Sequence, residues 1–207
     1  MRTLPFSTTN LNTSDIEAIC EIFDWLQQKF EVSYEPDWNY QFDSLELFKN
    51  RKISVGPAIK ITNSFESFHL AFLYVGYSYA YGRKYSYGLT YEYQTWGIIN
   101  LRKDFGHVLI KPETFIDKIH ELIKSIEIDF PDDPEFSKKY FVVTNDETKA
   151  RSSLSPLFRE QIKSISISDF VLEIKGDKLI IGDRKIIGPD SAIALVNFMD
   201  SLSKVLQ

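Results

Sequence analysis

The sequence predicts an α+β protein in which amphipathic helices, including one near each end, pack on a largely antiparallel, tyrosine-rich β-sheet. Three observations lead to this prediction: helical apolar stripes near both ends of the chain, tyrosines at alternate positions in the middle, and hairpin-like turns between strands. Hairpins favour an antiparallel sheet over the parallel sheet of repeated strand–helix units. The 207 residues contain no internal repeat or linker, so we expect one domain over residues 1–207.

Local signals place helices at both ends and before the closing hairpin. Ser14 with Glu17 three residues later has the form of a capping box and predicts the start of a helix of about 16 residues. Ser155-Pro156 and Asp190-Ser191 predict two further starts, and Pro112 another. The apolar stripes of the first and last helices are Ile16, Ile19, Phe23, Leu26 and Phe30, and Leu195, Val196, Met199, Leu202 and Leu206. Residues 38–50 stay open, with a short helix around 44–48 as one alternative.

Short apolar runs bounded by turn residues predict the strands. Residues 53–61 are rich in β-branched side chains, and Gly56-Pro57 within them indicates a bulge or an edge position. Further strands are expected at 107–110, 140–143 and 170–181, the last divided by a hairpin turn at Gly176-Asp177.

Tyrosines dominate the middle of the chain, where eight of the eleven lie between residues 74 and 93. All but Tyr74 are odd-numbered, so within one extended strand they share a face. Gly82-Arg83-Lys84 predicts the turn of a hairpin, and the change of phase after Tyr74 predicts a bulge beside Gly76. Such rings either pack within the sheet or bind a partner, and the candidate binding residues are Tyr79, Tyr81, Tyr85 and Tyr87.

Composition excludes several function classes. The 24 basic residues are outnumbered by 29 acidic ones and are scattered, which argues against nucleic-acid binding. One cysteine and three histidines make neither a disulfide nor a familiar zinc site, and no glycine-rich phosphate loop is present, so we expect no metal and no cofactor. Without a signal peptide or a long apolar run, we expect a cytoplasmic protein with no membrane role.

The segment 132–151 resembles a family of uncharacterised bacterial proteins. The likeness lies in Asp132-Asp133-Pro134-Glu135-Phe136, a short strand, then Asp146, polar residues and Ala150-Arg151, followed by Leu154-Ser155-Pro156. Weaker similarity at both sides extends it to residues 96–181. Because that family has no established activity, the resemblance implies a fold unit and no mechanism.

Asp146 and Arg151 are the strongest polar candidates within this motif. Arg151 could clamp an anion, since its planar fork suits carboxylate or phosphate. In the other interpretation Asp146 caps a short helix, and Arg151 pairs with a carboxylate or with backbone carbonyl groups. Likewise, the acids Asp132, Asp133 and Glu135 are either a metal loop or the first turn of a helix.

These observations favour a non-enzymatic binding or interaction module for a protein or small-molecule partner that the sequence does not identify. The alternative is an enzyme of unrecognised type, such as a hydrolase, using acidic groups near Asp133, Glu135 and Asp146 with Arg151. Acid–base catalysis requires such groups to converge on one substrate position, which spacing alone does not establish. Nothing in the sequence selects an oligomeric state.

Overall fold

Nine described strands form a single, fully antiparallel sheet, which confirms the predicted α+β class. The computed structural model describes residues 11–35, 38, 40–49, 51–81, 86–114 and 126–206, and of residues 43, 77–81 and 86–89 the backbone alone. The strands are β1 Glu31–Tyr34, β2 Lys52–Thr62, β3 Ser67–Tyr81, β4 Ser86–Asn100, β5 His107–Pro112, β6 Ile126–Glu127, β7 Tyr140–Thr144, β8 Val171–Lys175 and β9 Lys178–Ile186. Their order across the sheet is β1-β2-β3-β4-β9-β8-β5-β7-β6, and every pairing is antiparallel.

The helices cover one face of this sheet, which we call the helix face. Those described are α1 Thr13–Gln27, α2 Pro134–Lys139, α3 Glu147–Ser153, α4 Pro156–Lys163 and α5 Pro189–Val205. Each contributes buried apolar side chains to a core shared with the strands, as Leu26 and Leu195 do against Phe68 and Leu172. No described helix combines the length and apolar character needed to cross a membrane.

The opposite face is covered by residues 38 and 40–49, which we call the aromatic segment. Its rings belong to Trp38, Tyr40, Phe42 and Phe48. Two short 3₁₀ turns, Phe42–Ser44 and Glu46–Phe48, replace the short helix considered for this region. The Phe48 ring packs edge-on against Trp96 at 4.8 Å. Gly182 makes room for that indole, because a Cβ there would approach the Trp96 ring to 2.6 Å.

A buried carboxylate fixes the aromatic segment to the sheet. Glu173 lies in β8 with none of its surface exposed. The backbone amides of Glu46 and Leu47 donate to its two oxygens, each at 2.9 Å, and His107 Nε2 lies 2.7 Å from Oε1. The carboxylate therefore satisfies amides of a helical turn that have no partner within the turn.

The tyrosine-rich strands β3 and β4 pair without interruption from residue 68 to 81 and from 86 to 99. The predicted bulge beside Gly76 is therefore wrong. Tyr74 lies directly opposite Tyr93, and its ring stacks on Tyr91 at 4.8 Å. Since cross-strand partners share a face, the even-numbered Tyr74 is in phase with the odd-numbered tyrosines of β4.

These two strands also extend past their neighbours in the sheet. β2 pairs with β3 only as far as Gly76, and β9 pairs with β4 only as far as Gln94. At about 3.3 Å per residue, the five further residues of β3 extend roughly 16 Å as a two-stranded ribbon. In the pairing of these two strands, each odd-numbered residue of β3 lies opposite an even-numbered residue of β4, as Tyr79 lies opposite Gly88. Residues that lie opposite each other share a face of the sheet. The odd-numbered positions of β3 and the odd-numbered positions of β4 therefore lie on opposite faces.

The first helix begins two residues earlier than its sequence signal indicates. The N-cap is Asn12, not Ser14. The backbone amide of Asp15 donates a hydrogen bond to the Asn12 side chain at 2.9 Å, and the backbone amide of Asn12 donates one to the Asp15 carboxylate at 3.2 Å. The predicted capping box of Ser14 and Glu17 is thus wrong in register. The Ser14 hydroxyl instead donates to the Asn12 side chain at 2.6 Å.

Two other predicted starts also differ. α5 begins at Pro189 after Gly188, not at the predicted cap Asp190-Ser191, and the Ser191 hydroxyl donates to the buried Asp183 at 2.6 Å. Pro112 is the last residue of strand β5, opposite Tyr140, so the predicted start does not lie at Pro112 itself. The apolar stripe predicted to follow it falls at 115–123, outside the described residues.

Three other local predictions agree with the structure. The β2–β3 register shifts between Val55 and Ala58, which confirms the bulge at Gly56-Pro57. Residues Gly176-Asp177 join β8 to β9, with Gly176 at a φ of +64° that glycine adopts readily. Ser155 caps α4 as predicted, accepting the amide of Phe158 at 3.3 Å.

Removing the Glu173 carboxylate should destabilise the fold. In Glu173→Ala two amides of the aromatic segment lose their acceptor in a buried setting, so we expect the free energy of unfolding to fall by about 2–3 kcal/mol. Urea denaturation followed by tryptophan emission measures this. Glu66→Gln, at an exposed pair with Arg102, is the matched control; equal losses in both variants would contradict the anchoring role.

Acid should weaken the fold through His69. Burial lowers the pKa of its imidazole, outweighing the 3.0 Å hydrogen bond with Glu35 that raises it. The unfolded chain then takes up the proton first, so this contribution to stability is complete above about pH 6.5 and is lost as the pH falls through the lower folded pKa.

The variant His69→Gln cannot take up this proton and should show a smaller loss of unfolding free energy between about pH 7 and pH 5 than the wild type. Urea midpoints across that range measure the difference. Parallel losses in the two proteins would show that His69 does not contribute.

Candidate functional site

The tyrosines singled out from the sequence lie in the two-stranded ribbon. Tyr79 and Tyr81 belong to β3 and Tyr87 to β4, with Tyr79 opposite Gly88 and Tyr87 opposite Ala80. Their side chains, and Tyr85 altogether, are outside the described residues. Their role in binding therefore stays a prediction.

Asp146 and Arg151 lie at opposite ends of the short helix α3. Asp146 is the N-cap and accepts the amide of Lys149 at 3.0 Å. Arg151 pairs with Glu147 at 2.8 Å and donates to the carbonyl oxygen of Asp129. No described hydrogen bond or ion pair joins Asp146 to Arg151, and both have the local roles that the alternative interpretation gave them.

Asp133 is the centre of a charged cluster built around a buried arginine. It caps α2 through the amide of Phe136, and its carboxylate contacts Arg159 at 3.2 Å and Lys163 at 3.3 Å. Burial would raise the pKa of this carboxyl, but the hydrogen bonds from Phe136, Lys163 and Arg159 outweigh it and hold the pKa below its usual range. The acidic stretch from Asp132 to Glu135 thus forms the start of helix α2.

Arg159 is the member of this cluster that sequence reasoning missed. Only 3% of its side chain is exposed, and it also bonds Asp132 and the carbonyl oxygen of Leu154. Its guanidinium lies over the Phe130 ring at 4.5 Å. The available signal was its position between Phe158 and Ile162 on the apolar stripe of α4, where a solvated arginine is not expected.

One described concavity is a cavity of about 550 Å³ beside the C-terminal end of α2. Three separate stretches of chain line it: Pro112, Glu113 and Thr114; Glu135, Lys138, Lys139 and Tyr140; and Ile165, Ser166, Ile167, Ser168 and Phe170. Its apolar floor is formed by the half-buried Ile165 together with Tyr140, Ile167 and Phe170, of which at most 9% is exposed. A larger hollow of about 690 Å³, between the ends of α1 and α5, is lined mainly by polar side chains.

Charged side chains surround the apolar floor of this cavity. Glu113, Glu135, Lys138 and Lys139 are all exposed at its rim. The Lys139 ammonium lies 5.3 Å from the centre of the Tyr140 ring, which forms part of the floor. Of these charged residues only Glu135 was a candidate from the sequence, because the cavity brings together stretches that are up to about 50 residues apart in the chain.

Metal-binding geometry is not found in the described part of the chain. There, no group of three or more His, Cys, Asp or Glu side chains is arranged to hold a metal ion. In particular, the Asp133 carboxylate of the acidic motif is occupied by Arg159 and Lys163.

Comparison with known proteins gives a structural match only. No protein family and no curated protein sequence matches the chain. The fold is similar to the crystal structure of the mycobacterial trehalose monomycolate transport factor A, TtfA, with a TM-score of 0.52 over 92% of this chain and 94% of that one. At 7% sequence identity this likeness concerns the fold alone.

The two arginines of the motif region should differ in their effect on stability. Arg159→Leu leaves Asp133 without one of its buried partners, and we expect a loss of about 2 kcal/mol, less than for a fully enclosed pair because Asp132 reaches water. Arg151→Leu removes a surface pair and should cost less than about 1 kcal/mol. Thermal and urea unfolding of both variants measure this; a larger loss for Arg151→Leu would contradict the assignment.

Proposed function

We propose that the protein is a non-enzymatic binding module and that the cavity beside α2 takes up a small ligand. The observation that carries the proposal is the combination of a buried apolar floor with exposed charges at the rim. An apolar floor supplies affinity by removing ligand surface from water, and a few polar groups fix the orientation of the ligand.

The size of the cavity supports this proposal. Its volume of about 550 Å³ lies within the range of roughly 300–1,000 Å³ typical of small-molecule sites. Tyr140 is held in place, because it lies opposite Pro112 in the pairing of β5 with β7 and its hydroxyl donates to the carbonyl oxygen of Ile162 at 3.3 Å. A preformed floor reduces the ordering cost of binding.

The structural neighbour, a transport factor, is compatible with a binding role. Its ligand is not carried over to this chain, because the likeness is one of fold. The hydrolase alternative has less support: Asp133 is held by Arg159 and Lys163, Asp146 caps α3, and Arg151 pairs with Glu147.

A neutral, apolar fluorophore tests the proposal. N-phenyl-1-naphthylamine should bind the full chain with an increase in emission, because the floor shields it from water. Ser166→Trp places a large ring at the rim and should weaken binding about tenfold, equivalent to 1.4 kcal/mol. Fluorescence titration gives the dissociation constants.

The control is Ser152→Trp, on the exposed side of α3 away from the cavity, which should bind the fluorophore as the wild type does. The proposal fails if the fluorophore does not bind, or if both tryptophan variants bind it as tightly as the wild type.

A further inference from the structure

We infer that the outer part of strand β3, residues 77–81, pairs with the same five residues of a second copy of this chain and joins the two sheets in a symmetric dimer. The inference concerns a different part of the molecule from the cavity beside α2 and does not depend on it. It follows from an open strand edge, from the residues that form this edge, and from the register in which two such edges fit together.

One edge of residues 77–81 has no neighbour among the residues that the structure describes. On one side each of the five residues pairs with a residue of β4. On the other side the pairing with β2 stops at Gly76, which lies opposite Lys52, the first residue of β2. An unpaired strand edge presents backbone N–H and C=O groups to which a further strand can bind. Within the described chain, the position in line with β2 and beyond Lys52 is therefore open.

The composition of this edge differs from that of the two outermost strands of the sheet. The strands β1 and β6 have four and two residues, and each contains a glutamate, Glu31 or Glu127. Short length and charge are common ways in which proteins prevent an edge strand from pairing with another molecule. Residues 77–81 are Tyr-Ser-Tyr-Ala-Tyr, without charge, proline or glycine. Because tyrosine favours strands, this stretch is suited to pairing and lacks such protection.

The outer part of β4 is less suited to the same role. It also extends past its neighbour β9, but it contains Gly88 and Glu92. A glycine weakens a strand because it has no side chain to pack, and a charge opposes pairing at an edge. Pairing between two copies is therefore favoured at β3 over β4.

The length of the open edge determines the register. Residues that lie opposite each other share a face, so two identical antiparallel strands pair symmetrically about one residue. A symmetry axis at Tyr79 brings all five residues of each strand into the pairing. An axis one residue nearer to Gly76 would require Gly76 to pair where Lys52 already lies, and an axis one residue farther would extend past Tyr81, the last residue of β3. We therefore expect Tyr79 to lie opposite Tyr79 of the second copy.

This register also pairs tyrosine with tyrosine. Tyr77 lies opposite Tyr81 of the second copy, on the same face as the pair at Tyr79. Within the single chain these tyrosines lie opposite small residues of β4: Thr90, Gly88 and Ser86. Since cross-strand aromatic pairs stabilise a sheet, the second copy supplies partners that β4 does not.

Sedimentation of the full chain over a range of concentrations tests the inference. The mass of the particle should rise from one chain to two and not beyond, because the edge of β3 is used up in the dimer. Pairing should also slow the exchange of backbone amides in residues 77–81 as the concentration rises, since the added strand replaces water at this edge. A single-chain mass at all concentrations up to about 1 mM would overturn the inference.

Opposite charges at Tyr79 test the register. In Tyr79→Lys or Tyr79→Glu alone, like charges would lie opposite each other, and we expect self-association to weaken at least about tenfold. An equimolar mixture of the two variants places a lysine opposite a glutamate and should form a mixed dimer. Two misfolded variants would not recover on mixing, so this result separates pairing from loss of the ribbon.

The matched controls are Thr90→Lys and Thr90→Glu, because Thr90 is an exposed residue of the same ribbon but lies in β4. Alone or mixed, they should associate as the wild type does. The inference fails if Tyr79→Lys dimerises as tightly as the wild type, or if the mixture of the two Tyr79 variants stays monomeric. It also fails if the Thr90 variants lose as much association as the Tyr79 variants.

Discussion

The Glu173 carboxylate is the interaction on which the second face of the sheet depends. A charge without exposed surface is tolerated only when hydrogen bonds replace its water, and here the amides of Glu46 and Leu47 and the ring of His107 do so. The two amides come from a segment more than 120 residues away in the chain, and His107 comes from β5, 66 residues away. One side chain therefore ties the N-terminal third of the protein to strand β8 and holds the aromatic segment over Trp96.

The candidate cavity is built independently of that anchor. Its walls come from the end of β5, from α2 with the start of β7, and from the loop between α4 and β8. Tyr140 and Phe170 belong to the apolar core of the helix face, whereas Glu173 belongs to the other face. The fully buried Glu173 carboxylate and the exposed charged side chains around the cavity thus lie in separate parts of the molecule.

Local signals predicted much of the fold, and their failures have physical causes. The turn at Gly176-Asp177 and the cap at Ser155-Pro156 were predicted correctly, because each depends on residues that are adjacent in the sequence. The N-cap of α1 was displaced because Asn12 and Asp15 offer a competing capping box of the same kind. The bulge beside Gly76 was wrong because numbering along one strand does not show the cross-strand register that pairs Tyr74 with Tyr93. The cavity and the Arg159 cluster depend on contacts between distant segments, which no local pattern contains.

Strand β3 is supported unevenly along its length. Up to Gly76 it has a hydrogen-bonded neighbour on each side, and from there to Tyr81 only β4 pairs with it among the described residues. Backbone amides that point away from β4 in the outer part have no strand to protect them, so deuterium should replace their hydrogens sooner than in the inner part. The free energy of local opening should therefore be lower beyond Gly76 than before it, within one continuous strand. The boundary between the two parts lies at the first residue of β2, Lys52, which pairs with Gly76.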